Sequence, residues 1–469
     1  MVKIELKDIQ GIILSGYAPL KAAVFVLLRV TDAAPARGWL AGLASRLTAA
    51  ADSITDRAVN VAFTVDGLRA LQLDEAIVGE FGAEFKERMH YYVRAGNLGD
   101  IGDSSSDKWL WGGPREPVHI VLLLYATDQP ALKALYEAEV AEYRGVEEQV
   151  VLETRDLGGR EHFGFRDALS QPLIEHDGAQ SLGFGALRAP GPGEVTIKPG
   201  EFLLGYENES GRRQASPSVH ATRDPGNELP RRDDGRGDLG RNGSYMVLRQ
   251  LEQDVQGFWT FVFRHAHHPD QREWLAAKLV GRWRGGAPLV TAPHADDPRQ
   301  SKLNAFGYQN RDPDGLRCPF GAHIRRANPR DWHVGPDPNS ALAESKRHRL
   351  MRRGRPYGPP LSDDWDFATV ADAATDGGPR GLHFLCFNAD IRSQFEFVQW
   401  RWLNLRTFAG LSSDADPLVG AEPDRFTIQG GGAPLTGMQR FVTVRGGAYC
   451  FMLSLRAVRY LGGFQPLRS

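Results

Sequence analysis

Cysteine is scarce in this chain. There are three in 469 residues, Cys318, Cys386 and Cys450. They lie far apart and form no CxxC pair, which excludes a cysteine-built zinc site and argues against a disulfide framework in a chain of this size. A reducing, cytoplasmic compartment follows as the expectation. Long apolar runs are lacking too, and none approaches the length that spans a bilayer. The N-terminal stretch MVKIELKDIQGIILSGY has acids and a glycine where a signal would need an uninterrupted apolar core, so it is read as neither a secretory nor a twin-arginine signal. Nor does one sign of charge dominate. Lys plus Arg number 56 against 58 Asp plus Glu, a net charge of -2. Even the basic stretch RRDDGRGDLGR alternates with acids, so no cationic stripe offers itself to nucleic acid or to an acidic membrane. Neither is expected as a partner.

What is present is an ordinary globular composition, 42% hydrophobic and 24% charged. At 51.8 kDa the chain fits two domains or one large duplicated unit. AAVFVLLRV (Ala22 to Val30) and HIVLLLYAT (His119 to Thr127) read as buried strands. PARGWLAGLASRLTAA and the run after Pro130 have helical spacing. VNVAFTVDGLRALQL reads as strand then helix, with Asp66 as the expected N-cap. The Pro- and Gly-rich RAPGPGEVTIKPGE, Arg188 to Glu201, is the expected boundary. It divides a half at 1–190 from a half at 200–469. Gly211 to Gly243 reads as a long surface excursion. Thereafter SYMVLRQLEQDVQGFWTFVFRH is a strand entering a helix, LHFLCFNA a strand, IRSQFEFVQWRWLN an amphipathic helix, RFVTVRGGAYCFML a strand and LRAVRYL a final helix. The pattern is α+β, closer to two ferredoxin-like units than to a doubly wound sheet. No repeat is visible at the level of residues.

Four stretches carry chemistry. EHFGFRDALSQP holds Asp167 in a Gly-bounded apolar turn, either a turn or capping carboxylate or an acid tuned for proton transfer. CPFGAHIRRANPRD holds His323 ahead of Arg325, Arg326 and Arg330. Imidazole among fixed cations resists protonation, so its lone pair stays free for a metal. MRRGRPYGPP places Arg352 and Arg353 at a rigid turn, and GLSSDADPLVG offers Asp414 and Asp416. Each alone has a bland reading as a capped loop or a solvated turn.

Together they resemble the dye-decolorizing peroxidase family. The likeness extends to LKDIQGIILSGY, GEFLLGY, LRQLEQDVQGFW, RGLHFLCFNADIRSQFEFVQ and LTGMQRFVTVRGGAYCF, from about Leu6 to Leu461, and is greatest to the long-insert branch. The resemblance implies duplicated ferredoxin-like halves, antiparallel sheets with peripheral helices, and one haem b per chain held mainly by the C-terminal half. It implies a peroxidase that uses hydrogen peroxide to oxidise a small or dye-like organic reductant in one-electron steps. It makes His323 the axial iron ligand and Asp416, rather than Asp414, the acid on its other nitrogen. Asp167 becomes the distal acid and Arg352 the distal arginine. Asn328 would lie beside the haem, His162 near a propionate, and Leu382 and Phe384 on the apolar distal lining. Arg325 is taken as the cofactor-facing arginine, with Arg317, Arg326 and Arg330 as the other candidates. A homo-oligomer is allowed.

The residue types suit that chemistry on their own account. Haem iron takes a neutral imidazole, and a carboxylate on its far nitrogen makes it more basic. A second carboxylate can move a proton between the peroxide oxygens, and a guanidinium stabilises the charge that develops. One departure stands out. Ala168 occupies the place where the family has Gly after the distal acid. It would cost stability if its φ is positive, or crowd the pocket if its methyl points inward. It motivates the alternative of a haem carrier or sensor with little turnover. A chlorite-processing haem enzyme fits less well, because that chemistry needs no proton-shuttling acid. Tyr357, Trp400 and Trp402 are candidates for carrying electrons to large substrates, although such residues are more often packing.

Overall fold

The computed structural model describes residues 3–177, 185–362, 364–366 and 378–464. Four strands come from the first half: β1 (Ala22–Val30), β2 (Arg57–Phe63), β3 (Ile120–Ala126) and β4 (Val146–Glu153). Five come from the second: β5 (Ser244–Gln253), β6 (Met351–Arg352), β7 (Arg355–Tyr357), β8 (Gly381–Asn388) and β9 (Val442–Met452). They form one nine-stranded sheet, ordered β6-β8-β5-β9-β2-β3-β1-β4, with β7 also on β8. Every pairing in it is antiparallel. With β6 and β7 counted as one broken edge strand on β8, the order within each half is second, third, first, fourth, the ferredoxin-like arrangement, so the architecture is the expected duplicated α+β fold. The two half-sheets meet through a single register pair, Phe451 on β9 with Phe63 on β2.

Strand period explains the layering. On β1, Val24, Val26 and Leu28 enter one core while Ala23, Phe25 and Leu27 enter the other. The first core is capped by the helices Ala33–Leu43 and Leu455–Gly463, through residues such as Leu40 and Val458. The same face of the sheet continues into the second half with Val247 and Cys386. Beyond them, toward the end of β5 and the start of β8, it is no longer filled by core. Arg249, Leu251 and Gln253, with Leu382 and Phe384, wall a cavity there.

Several local expectations need correction. The helix Val65–Ala70 is capped by Thr64, whose hydroxyl accepts from Gly67 N at 3.0 Å, not by Asp66. The capping site is one residue outside the helix, and Asp66 already lies in its first turn. The expected boundary, Arg188 to Glu201, carries structure of its own, since Thr196–Ile197 pairs in parallel with Leu173–Ile174. The polar run from Gly211 to Gly243 is tied down by the ladder Ser218–Val219 with Gly237–Asp238, and its few apolar side chains, Val219, Leu229 and Leu239, join the first core. The segment expected as an amphipathic α-helix is wound wider. Arg392–Glu396 and Val398–Leu403 are π-helical, with Glu396 N donating to Ile391 O and Asn404 N to Gln399 O, both at 2.9 Å.

Candidate active site

The cavity has a volume of about 300 Å³. His323 opens the five-residue helix His323–Ala327 and projects into it. Its Nδ1 lies 3.0 Å from Asp416 Oδ2 and 3.2 Å from Oδ1. An ionised carboxylate only accepts, so Nδ1 is the donor and Nε2 is the ring nitrogen left for the cavity. Asp416 is fully buried, and its Oδ1 also accepts from the backbone N–H of Leu418 (3.0 Å) and Val419 (2.9 Å). Burial would raise this carboxyl, but the nearby His323, its hydrogen bond and the Arg326 guanidinium outweigh it and hold the group below its ordinary value. Asp414 is turned elsewhere, accepting from Thr427 Oγ1 at 3.1 Å.

The arginines behind His323 divide by role. Arg325 is wholly buried away from the cavity, so the expectation that it faces a cofactor is corrected. Its Nη1 donates to Asp312 Oδ2 (3.0 Å) and Cys318 O (2.7 Å), and its guanidinium lies 3.9 Å from the Trp332 ring centre. Arg326 donates to Trp402 O (2.7 Å), Asp414 O (2.9 Å) and Leu405 O (2.6 Å). These two side chains fasten the short histidine helix to its neighbours. Arg330 is the one that reaches the cavity wall, with Arg282 and Arg349. Among the described residues no carboxylate pairs with these three. Burial pulls Arg349 down to about 9 and Arg282 to about 10, with Arg330 adding to each. Asn328 stands beside them, its buried Nδ2 without a partner.

Asp167 comes from the loop 157–168 of the first half. Its Oδ1 accepts from Ala168 N at 2.6 Å and lies 3.9 Å from Arg352 Nη1. Arg352 is held by its own donation to Leu169 O at 2.6 Å. Strand alternation sends the next residue, Arg353, the other way, where it donates to Ile12 O and Ile13 O in the core. Ala168 has φ +58, so it carries the left-handed strain, but its side chain is exposed and is not part of the cavity wall. The crowding alternative therefore falls away. Leu382 and Phe384 do line the cavity, as expected from their spacing on β8.

His162 does not line the cavity. Its Nε2 donates to Tyr357 O at 2.8 Å behind the wall, its Nδ1 has no partner, and burial depresses its pKa to about 4. The reason is the turn over 161–165, with Gly164 at φ +94, which puts Glu161, Phe163 and Phe165 on the cavity wall and His162 behind it. Glu161, Arg282 and Arg349 are wall residues that sequence reasoning missed, although Glu161 opens the same EHFGFRDALSQP stretch that carries Asp167. Of the aromatic candidates, Tyr357 and Trp402 are core, and Trp400 is 41% exposed.

A flat, mainly apolar, iron-bearing dianion fits these walls. One histidine turns its Nε2 to the cavity, and Leu251, Leu382 and Phe384 line the sheet side. Three guanidiniums that, among the described residues, donate only to neutral groups stand beside an unsatisfied Asn328 amide, a setting for anionic groups. Among the described residues no three His, Cys, Asp or Glu side chains gather as a metal site. A lone histidine suits iron already held by a porphyrin better than a bare ion.

No family model matches the chain. A dye-decolorizing peroxidase of Mycena epipterygia is 30% identical over 480 residues, covering 94% of this chain and 79% of that protein. The chain belongs to the dye-decolorizing peroxidase family. Another dye-decolorizing peroxidase, from Mycetinis scorodonius, is 28% identical over 496 residues, covering 97% of this chain and 87% of its own. Among solved structures, a dye-decolorizing peroxidase in complex with 2,6-dimethoxyphenol superposes with a TM-score of 0.77 at 27% identity, over 97% of this chain and 98% of that one. Dye-decolorizing peroxidases are haem enzymes, and the cavity has the residues that such a group requires.

Proposed function

We propose that this peroxidase binds one haem b in the cavity, with His323 Nε2 as its protein ligand and Arg330, Arg349 and Asn328 toward its carboxylates. The haem, when bound, supplies the iron that takes up hydrogen peroxide and passes its oxidising equivalents to an organic reductant one electron at a time. The protein's own part is acid–base and electrostatic. Asp416 keeps the proton on His323 Nδ1 and fixes the ring, which leaves Nε2 a strong donor. An Asp167 carboxylate oxygen takes the proton from one peroxide oxygen and returns it to the other as the bond between them breaks. Arg352 Nη1, at 3.9 Å from that carboxylate, stabilises the charge on the departing oxygen. Leu382, Phe384 and Leu251 keep the site dry, which strengthens both interactions.

The observation that carries this assignment is that the Asp167–Arg352 pair lines the same cavity as His323, with Asp416 behind the wall on His323 Nδ1. The complex of a related enzyme with 2,6-dimethoxyphenol supports a phenol-type reductant. The three cysteines are free and buried, which supports a reducing, cytoplasmic setting. Among the described residues no helix is long and apolar enough to cross a membrane.

The test is an absorption spectrum of the haem-supplemented protein before and after one equivalent of hydrogen peroxide. A Soret band lost in His323→Ala and altered by peroxide is expected. Asp167→Asn and Arg352→Leu should keep the band and slow the peroxide step by roughly 10²–10³-fold. A His323→Ala protein with an unchanged Soret band would overturn the ligand assignment, and unchanged kinetics in both distal variants would overturn their roles.

A further inference from the structure

Glu161 has no part in the chemistry described so far, yet it sits six residues before Asp167 on the cavity wall. Its carboxylate accepts three N–H donors. Phe163 N reaches Oε2 at 2.9 Å, Phe165 N reaches Oε1 at 2.9 Å, and Gln253 Nε2 reaches Oε2 at 2.7 Å. The backbone closes the same turn, with Phe165 O accepting from Glu161 N (3.0 Å) and Glu161 O from Gly164 N (2.9 Å). Phe163 and Phe165 are themselves buried, and both rings pack on Phe258, at centroid distances of 4.7 and 6.4 Å. Without the carboxylate, two buried peptide N–H groups on the turn that presents Asp167 would have no acceptor.

We propose that Glu161 is a positioning residue for Asp167: its carboxylate clasps the turn that aims the distal acid, and Gln253 on β5 fixes that clasp to the half of the chain that supplies the iron ligand. The proposal rests on the reading of Asp167 as the proton carrier. Asp167 N is tied back to Gly159 O at 3.0 Å, so the ends of the turn are pinned at both sides of the clasp. Gln253 itself lines the cavity, and its other amide atom, Oε1, is buried and without a partner. The charged form is the one that accepts all three donors. Burial, with Asp167's charge adding, moves the Glu161 pKa up to about 7, even against those donors. A proton on Glu161 would set an O–H against an N–H and loosen the turn.

Glu161→Gln tests this, because its amide puts N–H against N–H on one side of the clasp. Hydrogen exchange at the Phe163 and Phe165 amides, measured in the cofactor-free protein, should speed at least tenfold. Haem affinity should be unchanged. The kcat/KM for hydrogen peroxide should fall on the order of tenfold, as a small misplacement of a reacting group does. The double variant Glu161→Gln/Asp167→Asn should be no slower than Asp167→Asn alone, since a positioning residue has nothing left to position. Unchanged exchange, or rate losses that multiply in the double variant, would overturn the proposal. If Glu161→Gln does not fold, Gln253→Leu leaves the two backbone bonds in place. It should show the same non-additivity with Asp167→Asn, and multiplying losses there overturn the proposal equally. An Asp167→Asn enzyme as fast as the parent would instead remove the role of Asp167, and that of Glu161 with it, whatever the exchange data show.

Discussion

At the scale of single residues, two positions give sharp expectations. Ala168 holds φ +58 with its methyl exposed, so it carries backbone strain that serves no contact in the cavity. Ala168→Gly should raise stability by about 1 kcal/mol, seen as a higher denaturant midpoint, without altering the haem spectrum. Asp416 is the buried anchor of His323. Asp416→Ala leaves Nδ1 without its acceptor and should weaken haem retention by roughly 10–100-fold, measured by transfer of haem to an acceptor protein. The chemically distinctive residues were legible in the sequence. His323, Asp416, Asp167 and Arg352 stand in stretches that each have a bland reading alone and point to one site only by occurring together. The structure brings Asp167, Arg352 and His323 to one cavity, with Asp416 behind His323. Direction was not legible. Arg325 and Arg330 are the same residue type five positions apart, but one lies in a short helix and the other follows it with φ +59. Which of them faced the cavity depended on that backbone. His162 was misplaced for a related reason, since it lies in a tight turn whose side-chain directions depend on the positive φ of Gly164.

At the scale of elements, the histidine helix is held by what abuts it. The helix Pro269–Val280 ends at Gly281, which has φ +98. A Cβ on Gly281 would collide with the Ile324 side chain, next to His323. Gly281→Ala therefore combines left-handed strain with a push on the ligand's own helix. It should cost at least about 1 kcal/mol in thermal or chemical unfolding and lower haem affinity as well. The strands β1, β3, β5, β8 and β9 were readable because they are long and apolar, and the helices that follow β1, β3, β5 and β9 because of their spacing. The helices Pro269–Val280 and Pro338–Arg347 and the short strands β6 and β7 were not read. The π-helical winding of Arg392–Leu403 was not readable. Apolar residues at i, i+3 and i+4 fit either pitch, and only the neighbours decide. Here Gln394 donates to Glu201 O and Arg349 O, both at 2.8 Å, and Phe395, Val398 and Gln399 are brought to the cavity wall.

At the scale of the whole molecule, two buried histidines sit where the halves touch. His162 Nε2 meets Tyr357 O, and His383 Nε2 lies 3.1 Å from Glu153 O. Burial depresses both to about 4. The folded state keeps them neutral while the unfolded chain binds protons below about 6.5, so their contribution is full above that pH and is lost as pH falls toward 4. A non-titrating replacement such as His383→Gln should remove its share, up to about 3 kcal/mol. The parent's stability relative to the variant should therefore decline between pH 6.5 and 4 in urea titrations, and a difference independent of pH would refute it. The duplicated plan was legible as an alternation of strands and helices, whereas the junction was not, because one register pair leaves no pattern in a sequence. That junction has a consequence for failure. On the proposed roles, the acid for peroxide comes from the first half and the imidazole for iron from the second. A parting of the seam between the halves would therefore separate the two functions without breaking either half.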